Sequence, residues 1–380
     1  MPGVFRIFLG VVLSSNLVFS IPRFAVKNGT TCATCHVSPT GAGLRNHYGL
    51  TIVSMDELPI QWGRKFTDET YTGTVGGHLQ AGADLRLQLL IHSEGDTVRK
   101  AAFFPMQGDV YGYLTVSRAI HVYAKLDLIR GYPEFWTMLE FFSGDGYFKI
   151  GRKIATYGLR LDDHTSFVRG GNLSLRHTKS DGEDFSKEGM PFSPRVQMPG
   201  IFEMGLTLRD LFLTASISNP YVFGGETGFQ SFQGLSDKNL TARMEYSRSL
   251  GPLSGLAGAS VMKEKDLQMA GAFGGISVDR FTVLGEVDVA KNWVDGGITS
   301  LASYCEFIVE PIQGVNLVGK FDFFDEDMDL LGNDLTRYTV GLEIFPMAFF
   351  EVRAQVRLTR TSQGMDQPAP EYLVQSHTWF

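Results

Sequence analysis

Residues 350–358 read Phe-Glu-Val-Arg-Ala-Gln-Val-Arg-Leu, with an apolar side chain at every second position and a charged or polar one between. A period of two is typical of a β-strand that has one apolar and one polar face. The same alternation recurs from about residue 72 to the C-terminus, for example at 85–91, 120–128 and 281–289, and turn residues separate the runs. The pattern therefore predicts an all-β protein built from about sixteen antiparallel strands.

Two folds share this alternation, a soluble β-sandwich with its apolar face inward and a membrane barrel with its apolar face outward. The runs are commonly about 10–14 residues long, whereas soluble strands average about 5–6 residues and tilted membrane strands need about 9–11. The polar face carries charges of both signs, and the chain ends on the aromatic residue Phe380. Because lipid excludes an open sheet edge, we expect a closed transmembrane barrel over residues 71–380, with fourteen or eighteen strands as alternatives to sixteen.

A short motif near the N-terminus, Cys-Ala-Thr-Cys-His at residues 32–36, has the C-x-x-C-H spacing of c-type haem attachment. Its two thiols can add to the two vinyl groups of one haem, and the adjacent His36 can then bind the iron. A zinc site would need a second pair of ligands, and a thioredoxin-like redox pair would need a surrounding βαβ pattern. We therefore expect one covalent haem c held by Cys32, Cys35 and His36. The third cysteine, Cys305, lies on the apolar face of a predicted strand, where it would contact lipid.

The sixth ligand of the iron has several candidates. His47 lies eleven residues after His36, and Met55 follows eight residues later. A second histidine would give the haem a lower reduction potential than a methionine would. A histidine from the lumen of the barrel, or no protein ligand, remains an alternative to both. Residues 21–70 are too few for a complete soluble cytochrome fold, so another part of the protein must enclose the haem.

The first twenty residues resemble a secretory signal peptide, because Arg6 precedes an apolar run that is too short to span a bilayer. Export agrees with the motif, because c-type haem is attached on the outer side of the cytoplasmic membrane. We expect three regions, a signal peptide at 1–20, a monohaem cytochrome c-type segment at 21–70 and the barrel at 71–380.

The longest irregular stretch, about residues 160–200, follows the fifth predicted strand and would be the third external loop. In many porins this loop folds into the lumen. In this protein such a loop could cover the haem or bind a cation, and the alternative is a solvated surface loop. Its charged residues and histidines are Arg160, Asp162, Asp163, His164, Arg169, Arg176 and His177. Lumenal arginines such as Arg353 and Arg357 are candidates to bind the haem propionates.

The order of these features, a signal, Ile-Pro-Arg-Phe-Ala at 21–25, the C-x-x-C-H motif, a Gly-rich stretch and a barrel ending in Phe380, resembles the fused outer-membrane monohaem cytochrome–porins. That group includes bacterial ferrous-iron oxidases. The resemblance implies that the haem segment plugs the barrel, that the wall completes the haem pocket, and that the protein lies in the outer membrane of a Gram-negative-type bacterium.

The function that follows is electron transfer through a single covalent haem to or from an extracellular electron donor or acceptor, and ferrous iron is one candidate donor. A hydrocarbon core of about 30 Å is too thick for one useful tunnelling step, so a periplasmic electron carrier such as a soluble cytochrome is an implied partner. The alternative is a diffusion porin whose haem-bearing segment acts as a plug or sensor; a third possibility is a soluble periplasmic cytochrome with a β-sandwich. The net charge of −7, with no basic stripe, argues against a nucleic-acid partner.

Overall fold

The computed structural model describes residues 22–66, 71–94, 98–129, 131, 133–159, 166–169, 198–220, 238–293, 297–362 and 370–380. Within these residues sixteen strands form one closed barrel, in which each strand is antiparallel to both neighbours and the last strand pairs with the first. The predicted fold class is therefore confirmed. The strands are β1 Leu79–Glu94, β2 Val98–Thr115, β3 Ile120–Asp127, β4 Pro133–Phe141, β5 Gly146–Lys153, β6 Met198–Leu208, β7 Leu211–Ser218, β8 Asn239–Leu250, β9 Leu253–Glu264, β10 Leu267–Val278, β11 Phe281–Lys291, β12 Thr299–Ile312, β13 Val315–Asp325, β14 Asp334–Met347, β15 Phe350–Thr361 and β16 Pro370–Trp379.

The two faces of the wall have the polarity of a membrane barrel. On β11, Val283 and Val287 are exposed on the outside, whereas Glu286 and Asp288 are buried on the inside. Cys305 is also exposed, as predicted for a residue that contacts lipid. A soluble sandwich would bury the apolar face instead, so the exposed apolar band excludes that alternative.

The connections divide the barrel into two ends. Each even-numbered strand is joined to the next strand by a short turn, such as residues 209–210 after β6 and 251–252 after β8. The start of β1 and Phe380 lie at the same end of the barrel. We call it the short-turn end, and the opposite one the long-loop end. The longest connection spans residues 154–197 and follows the fifth strand, as predicted. The predicted signal peptide lies outside the described residues, and so do Arg160, Asp162, Asp163, His164, Arg176 and His177.

Residues 22–66, which we call the plug, lie inside the barrel at the short-turn end. Val26 is fully buried against Gly275 on the inner face of β10, and Leu44 packs against Gly82 on the inner face of β1. The plug contains the helix α1 (Pro22–Asn28), the 3₁₀ turns Cys32–Thr34 and Gly63–Phe66, and the π-helix Gly49–Glu57. No helix in the described part of the chain is long and apolar enough to cross a bilayer.

Candidate functional site

The C-x-x-C-H motif forms a single tight turn. The backbone amides of Cys35 and His36 both donate to the carbonyl of Cys32, at 3.2 and 3.1 Å, so the two thiols and the imidazole start from one turn of chain. Gly41, whose φ of +79° favours glycine, packs over this turn; a Cβ there would lie 3.1 Å from the Cys32 sulfur. The loop after the motif therefore folds back over the first thiol.

Asn46 joins the motif to the π-helix. Its side-chain amide donates to the carbonyls of Thr34 at 2.9 Å and Ala33 at 3.2 Å, and its backbone amide donates to the Cys35 carbonyl at 2.9 Å. Its side-chain oxygen accepts from the Gly49 amide at 2.9 Å. Asn46 was not predictable from the sequence, because an asparagine in a Gly-rich stretch carries no sign that its partners are the carbonyls of the motif.

The motif lies in an apolar environment to which the barrel wall contributes. Cys35 and His36 are buried. Cys35 packs in a cluster with Phe24 and other plug residues and with two barrel residues, Phe345 and Trp379. Burial raises the pKa of the Cys35 thiol, and the nearby Arg45 guanidinium opposes only part of that effect.

A second apolar surface covers part of the inner face of β2–β7, where a water-filled lumen would be polar. Six lumenal rings form what we call the aromatic wall: Tyr111, Tyr113, Tyr123, Trp136, Tyr147 and Phe212. Val37 and Leu44 of the plug pack against it. Its densest contact is between Tyr123 and Trp136, whose rings stack at a centroid distance of 4.7 Å.

A buried lysine connects the aromatic wall to the plug. Lys149 is fully buried, its ammonium lies 4.5 Å from the centre of the Trp136 ring, and it donates to the Ser38 hydroxyl at 2.8 Å. Ser38 is two residues after His36. A cation over an aromatic face is attracted by the ring quadrupole, and the attraction is strongest where water is excluded. Lys149 therefore holds the loop after the motif against the wall.

A chain of buried and half-buried charges anchors the plug to the opposite part of the barrel. Arg23 of α1 forms an ion pair with Glu343 on β14. Arg353 on β15 lies 2.8 Å from Glu343 and 3.0 Å from Glu351. His377 on β16 then faces the Glu351 carboxylate, with Nδ1 3.0 Å from its oxygen. Each of these groups is paired, as buried charges must be to offset their desolvation.

The predicted propionate ligands Arg353 and Arg357 occupy different parts of this wall. Arg353 belongs to the ion network that holds the plug. Arg357 lies 3.6 Å from Glu371 and is seven residues from the short-turn end of β15, about 23 Å of strand at 3.3 Å per residue. Of the two, Arg353 is therefore the one near the plug.

The two predicted sixth ligands lie in the plug. His47 is exposed, and its ring Nδ1 lies 3.4 Å from the Thr51 hydroxyl. Met55 is buried within the π-helix. Neither assignment is tested by these positions, and both stay predictions.

The donor set around the motif fits a haem c. Two thiols and an imidazole share one turn, and apolar rings from the plug and the wall surround it. The buried cations Lys149 and Arg23 and the half-buried Arg45 lie on the plug or against it. A haem needs such apolar contact along its faces and charge-assisted partners for its propionates. Cys32, Cys35 and His36 remain the residues that would hold it.

The described part of the connection after β5 folds into the lumen. We call residues 154–159 and 166–169 the inward segment. Arg169 is buried, 2.6 Å from Glu286 and 3.4 Å from Asp288 on β11, and the Tyr157 hydroxyl donates to Asp288 at 3.2 Å. Ser166 donates to Asp322 on β13, on the opposite wall from β5, at 3.3 Å. For these residues the predicted inward fold is confirmed, and the solvated surface loop is wrong.

No protein-family model and no curated protein matches this chain. Among solved structures, it is similar to OmpT of Vibrio cholerae, with a TM-score of 0.53 and 12% identity over 81% of this chain and 99% of that one. It is similar to the anion-selective porin from Comamonas acidovorans (TM-score 0.53, 9% identity, 80% of this chain and 99% of that one). It is also similar to OprB of Pseudomonas putida at high pH (TM-score 0.55, 9% identity, 80% and 94%). This likeness shows a shared fold, and with the exposed apolar band it identifies an outer-membrane barrel of the Gram-negative type.

Proposed function

We propose that this outer-membrane barrel transfers electrons across the outer membrane through one haem c, bonded to Cys32 and Cys35 and ligated by His36. The observation that carries the proposal is the enclosure of the C-x-x-C-H turn inside the lumen, between the plug and aromatic side chains of the wall. A C-x-x-C-H motif does not require a barrel in order to fold, and a barrel does not require this motif. Their close packing supports a joint function.

When bound, the haem supplies reversible one-electron chemistry. The residues of the chain hold it and control its surroundings. Asn46 orients the turn that presents both thiols and the imidazole. The aromatic wall and the Phe345–Trp379 pair exclude water, which lowers the local dielectric and strengthens the influence of nearby charges. Lys149, which donates to Ser38 two residues after His36, would favour the reduced and less positive iron, and Glu203 at 4.0 Å from its ammonium opposes part of that effect.

The position of the motif constrains the route of the electron. The short-turn end, with both ends of the barrel wall, is the periplasmic end in outer-membrane barrels. The hydrocarbon core is about 30 Å thick, so one haem near that end serves a periplasmic carrier, such as a soluble cytochrome, directly. An external donor, for which ferrous iron is one candidate, must then approach through the long-loop end.

The second candidate is a diffusion porin with a haem-bearing plug, favoured by the likeness to an anion-selective porin. The inward segment argues against wide solute flow, because it reaches from β5 across the lumen and is fixed by buried ion pairs to β11 and by a hydrogen bond to Asp322 on the opposite wall. Planar-bilayer conductance separates the two functions. A large ohmic conductance that does not respond to the redox state of the haem would favour the porin.

The first experiment tests covalent haem. The chain is expressed in a Gram-negative host with the c-type maturation machinery, and outer-membrane fractions are run on a denaturing gel stained for haem. We expect one haem-positive band that disappears in the double variant Cys32→Ala, Cys35→Ala. Cys305→Ala is the matched control, because that thiol is exposed on the outside of the barrel, and it should stain like the parent protein.

The second experiment tests transfer across the bilayer. The purified protein is inserted into liposomes that enclose a redox dye, and ferrous iron or another membrane-impermeant reductant is added outside. We expect reduction of the enclosed dye by the haem-loaded protein and none by the double cysteine variant. Haem-loaded liposomes in which the dye stays oxidised would refute electron transfer.

A further inference from the structure

We propose that His121, a residue of the barrel wall, is the second axial ligand of the haem; the inference rests on the proposed function. His121 is on the inner face of β3, just after the turn at 116–119 at the short-turn end. It is 7% exposed, and its ring stacks on Tyr113 of the aromatic wall at a centroid distance of 5.4 Å and an interplanar angle of 7°. The ring is therefore held in one orientation at the end of the barrel where the plug lies.

Both ring nitrogens of His121 lack a hydrogen-bond partner among the described residues. The Glu140 carboxylate is 3.6 Å from Nε2, beyond hydrogen-bond distance. Leaving a buried polar atom without a partner costs about 1–3 kcal/mol, and such an atom in a folded protein requires a specific explanation. An imidazole is one of the common ligands of haem iron, so iron coordination would satisfy one of these nitrogens.

The strand register brings His121 toward the haem motif. His121 pairs with Met138 on β4, and Met138 pairs with Lys149 on β5, so the three side chains form one row on the inner face. Neighbouring positions in a row are about 5 Å apart. Lys149 at the end of this row binds Ser38, two residues after His36. His121 thus lies on the wall that faces the segment carrying the proximal ligand.

The surroundings of His121 suit a metal-bound histidine better than those of the plug candidate His47. A carboxylate hydrogen-bonded to the second nitrogen of a metal-bound histidine fixes its tautomer, and Glu140, 3.6 Å from Nε2, would need only a small approach to take that role. His47 is exposed and close to Thr51, where water would compete for the iron. A wall ligand would also tie the haem to both the plug and the barrel.

Electron paramagnetic resonance of the purified ferric protein tests this assignment, with haem staining to verify covalent attachment and heat-modifiable gel mobility to verify a folded barrel. We expect the parent protein to be low-spin with two histidine ligands. His121→Ala should lose the low-spin signal and become high-spin, and added imidazole should restore it. His121→Gln, which keeps the bulk of the side chain, should give the same result if the alanine variant does not fold.

His92→Ala is the matched control, because His92 is also a buried lumenal histidine but lies near the long-loop end of β1. This variant and His47→Ala should keep the parent spectrum. A low-spin spectrum in haem-loaded His121 variants, loss of that spectrum in His47→Ala or Met55→Leu instead, or a high-spin parent protein would overturn the assignment. A folded parent protein without covalent haem would overturn the proposed function itself, which the stained gel reports separately.

Discussion

The ion pair between Arg23 and Glu343 determines how firmly the plug is held in the barrel. Arg23 is 6% exposed and Glu343 is 1% exposed, and the guanidinium also lies 4.7 Å from the centre of the Phe24 ring. Replacing Arg23 by Met keeps an unbranched apolar stem against the same rings and removes the charge and its hydrogen bonds. The variant therefore isolates the contribution of the ion pair to plug docking.

The expected loss follows from what remains around Glu343. Removing one partner of a buried pair costs about 3–5 kcal/mol, because the other charge stays buried. Here Glu343 keeps Arg353 at 2.8 Å and the Asn316 amide at 3.0 Å, so its charge is still compensated in part. We expect Arg23→Met to weaken docking by about 2–3 kcal/mol, at or below the lower end of the range for a buried pair.

Hydrogen exchange of the α1 amides measures this loss, because local opening sets the exchange rate of protected amides. At 1.36 kcal/mol per factor of ten, we expect exchange in α1 to be roughly 30- to 150-fold faster in Arg23→Met. Lys27→Met is the matched control in the same helix, because the Lys27–Glu310 pair is part-exposed, at 29% and 19%. Such a pair contributes about 1 kcal/mol or less, so the control should change exchange by about fivefold or less. Equal effects of the two variants would refute the argument from burial.

Three further perturbations test other parts of the molecule. Burial raises the pKa of Glu57 in the plug from its ordinary 4.5 to about 7, so the folded state binds this proton more tightly than the unfolded state. Plug docking should therefore weaken as the pH rises from about 4.5 to about 7, and it should change no further above that pH. Glu57→Gln should remove this pH dependence from the exchange rates of the α1 amides. Asn46→Ala removes the side-chain hydrogen bonds to the carbonyls of Ala33, Thr34 and His36 and the one accepted from the Gly49 amide. At about 1 kcal/mol each for the two strongest, exchange of the Gly49 amide should be roughly 30-fold faster, and an unchanged rate would contradict the role of Asn46. Arg169→Ala removes the cation that faces two buried carboxylates of β11. We expect this variant to have a higher and more cation-selective conductance in planar bilayers. An unchanged conductance would show that the inward segment does not limit the pore.

The barrel was predictable because its strands lie between two different solvents. Lipid on one side and a polar lumen on the other impose a period of two on each strand, and the pattern can be read without tertiary information. The alternation predicts a strand over residues 120–128, and the structure has β3 at Ile120–Asp127. The long connection after the fifth strand was also predicted, since it is the longest stretch without alternation.

The structure of the plug and of its pocket was harder to predict from the sequence. Tyr113, Tyr123 and Trp136 occupy lumenal positions of strands that also carry polar lumenal residues such as Asp109, Lys125 and Glu134, and the alternation gives no reason for an apolar patch there. Their plug partners, Val37 and Leu44, are about 70 to 100 residues away in the sequence. The helices of the plug were not predicted either, because helices of 7–9 residues are too short to form without tertiary packing.

The sequence by itself determined the membrane barrel and supplied the C-x-x-C-H motif on which the proposed haem site rests. Both are encoded locally, one in the period imposed by lipid and the other in five consecutive residues. Tertiary structure alone decided where the motif lies, which charges anchor it, and that His121 shares a row of the wall with Lys149. These outcomes depend on pairs such as Arg23 with Glu343 and Ser38 with Lys149. Such partners are more than 100 residues apart, and they meet only because closure of the barrel brings the inner faces of distant strands around one short segment.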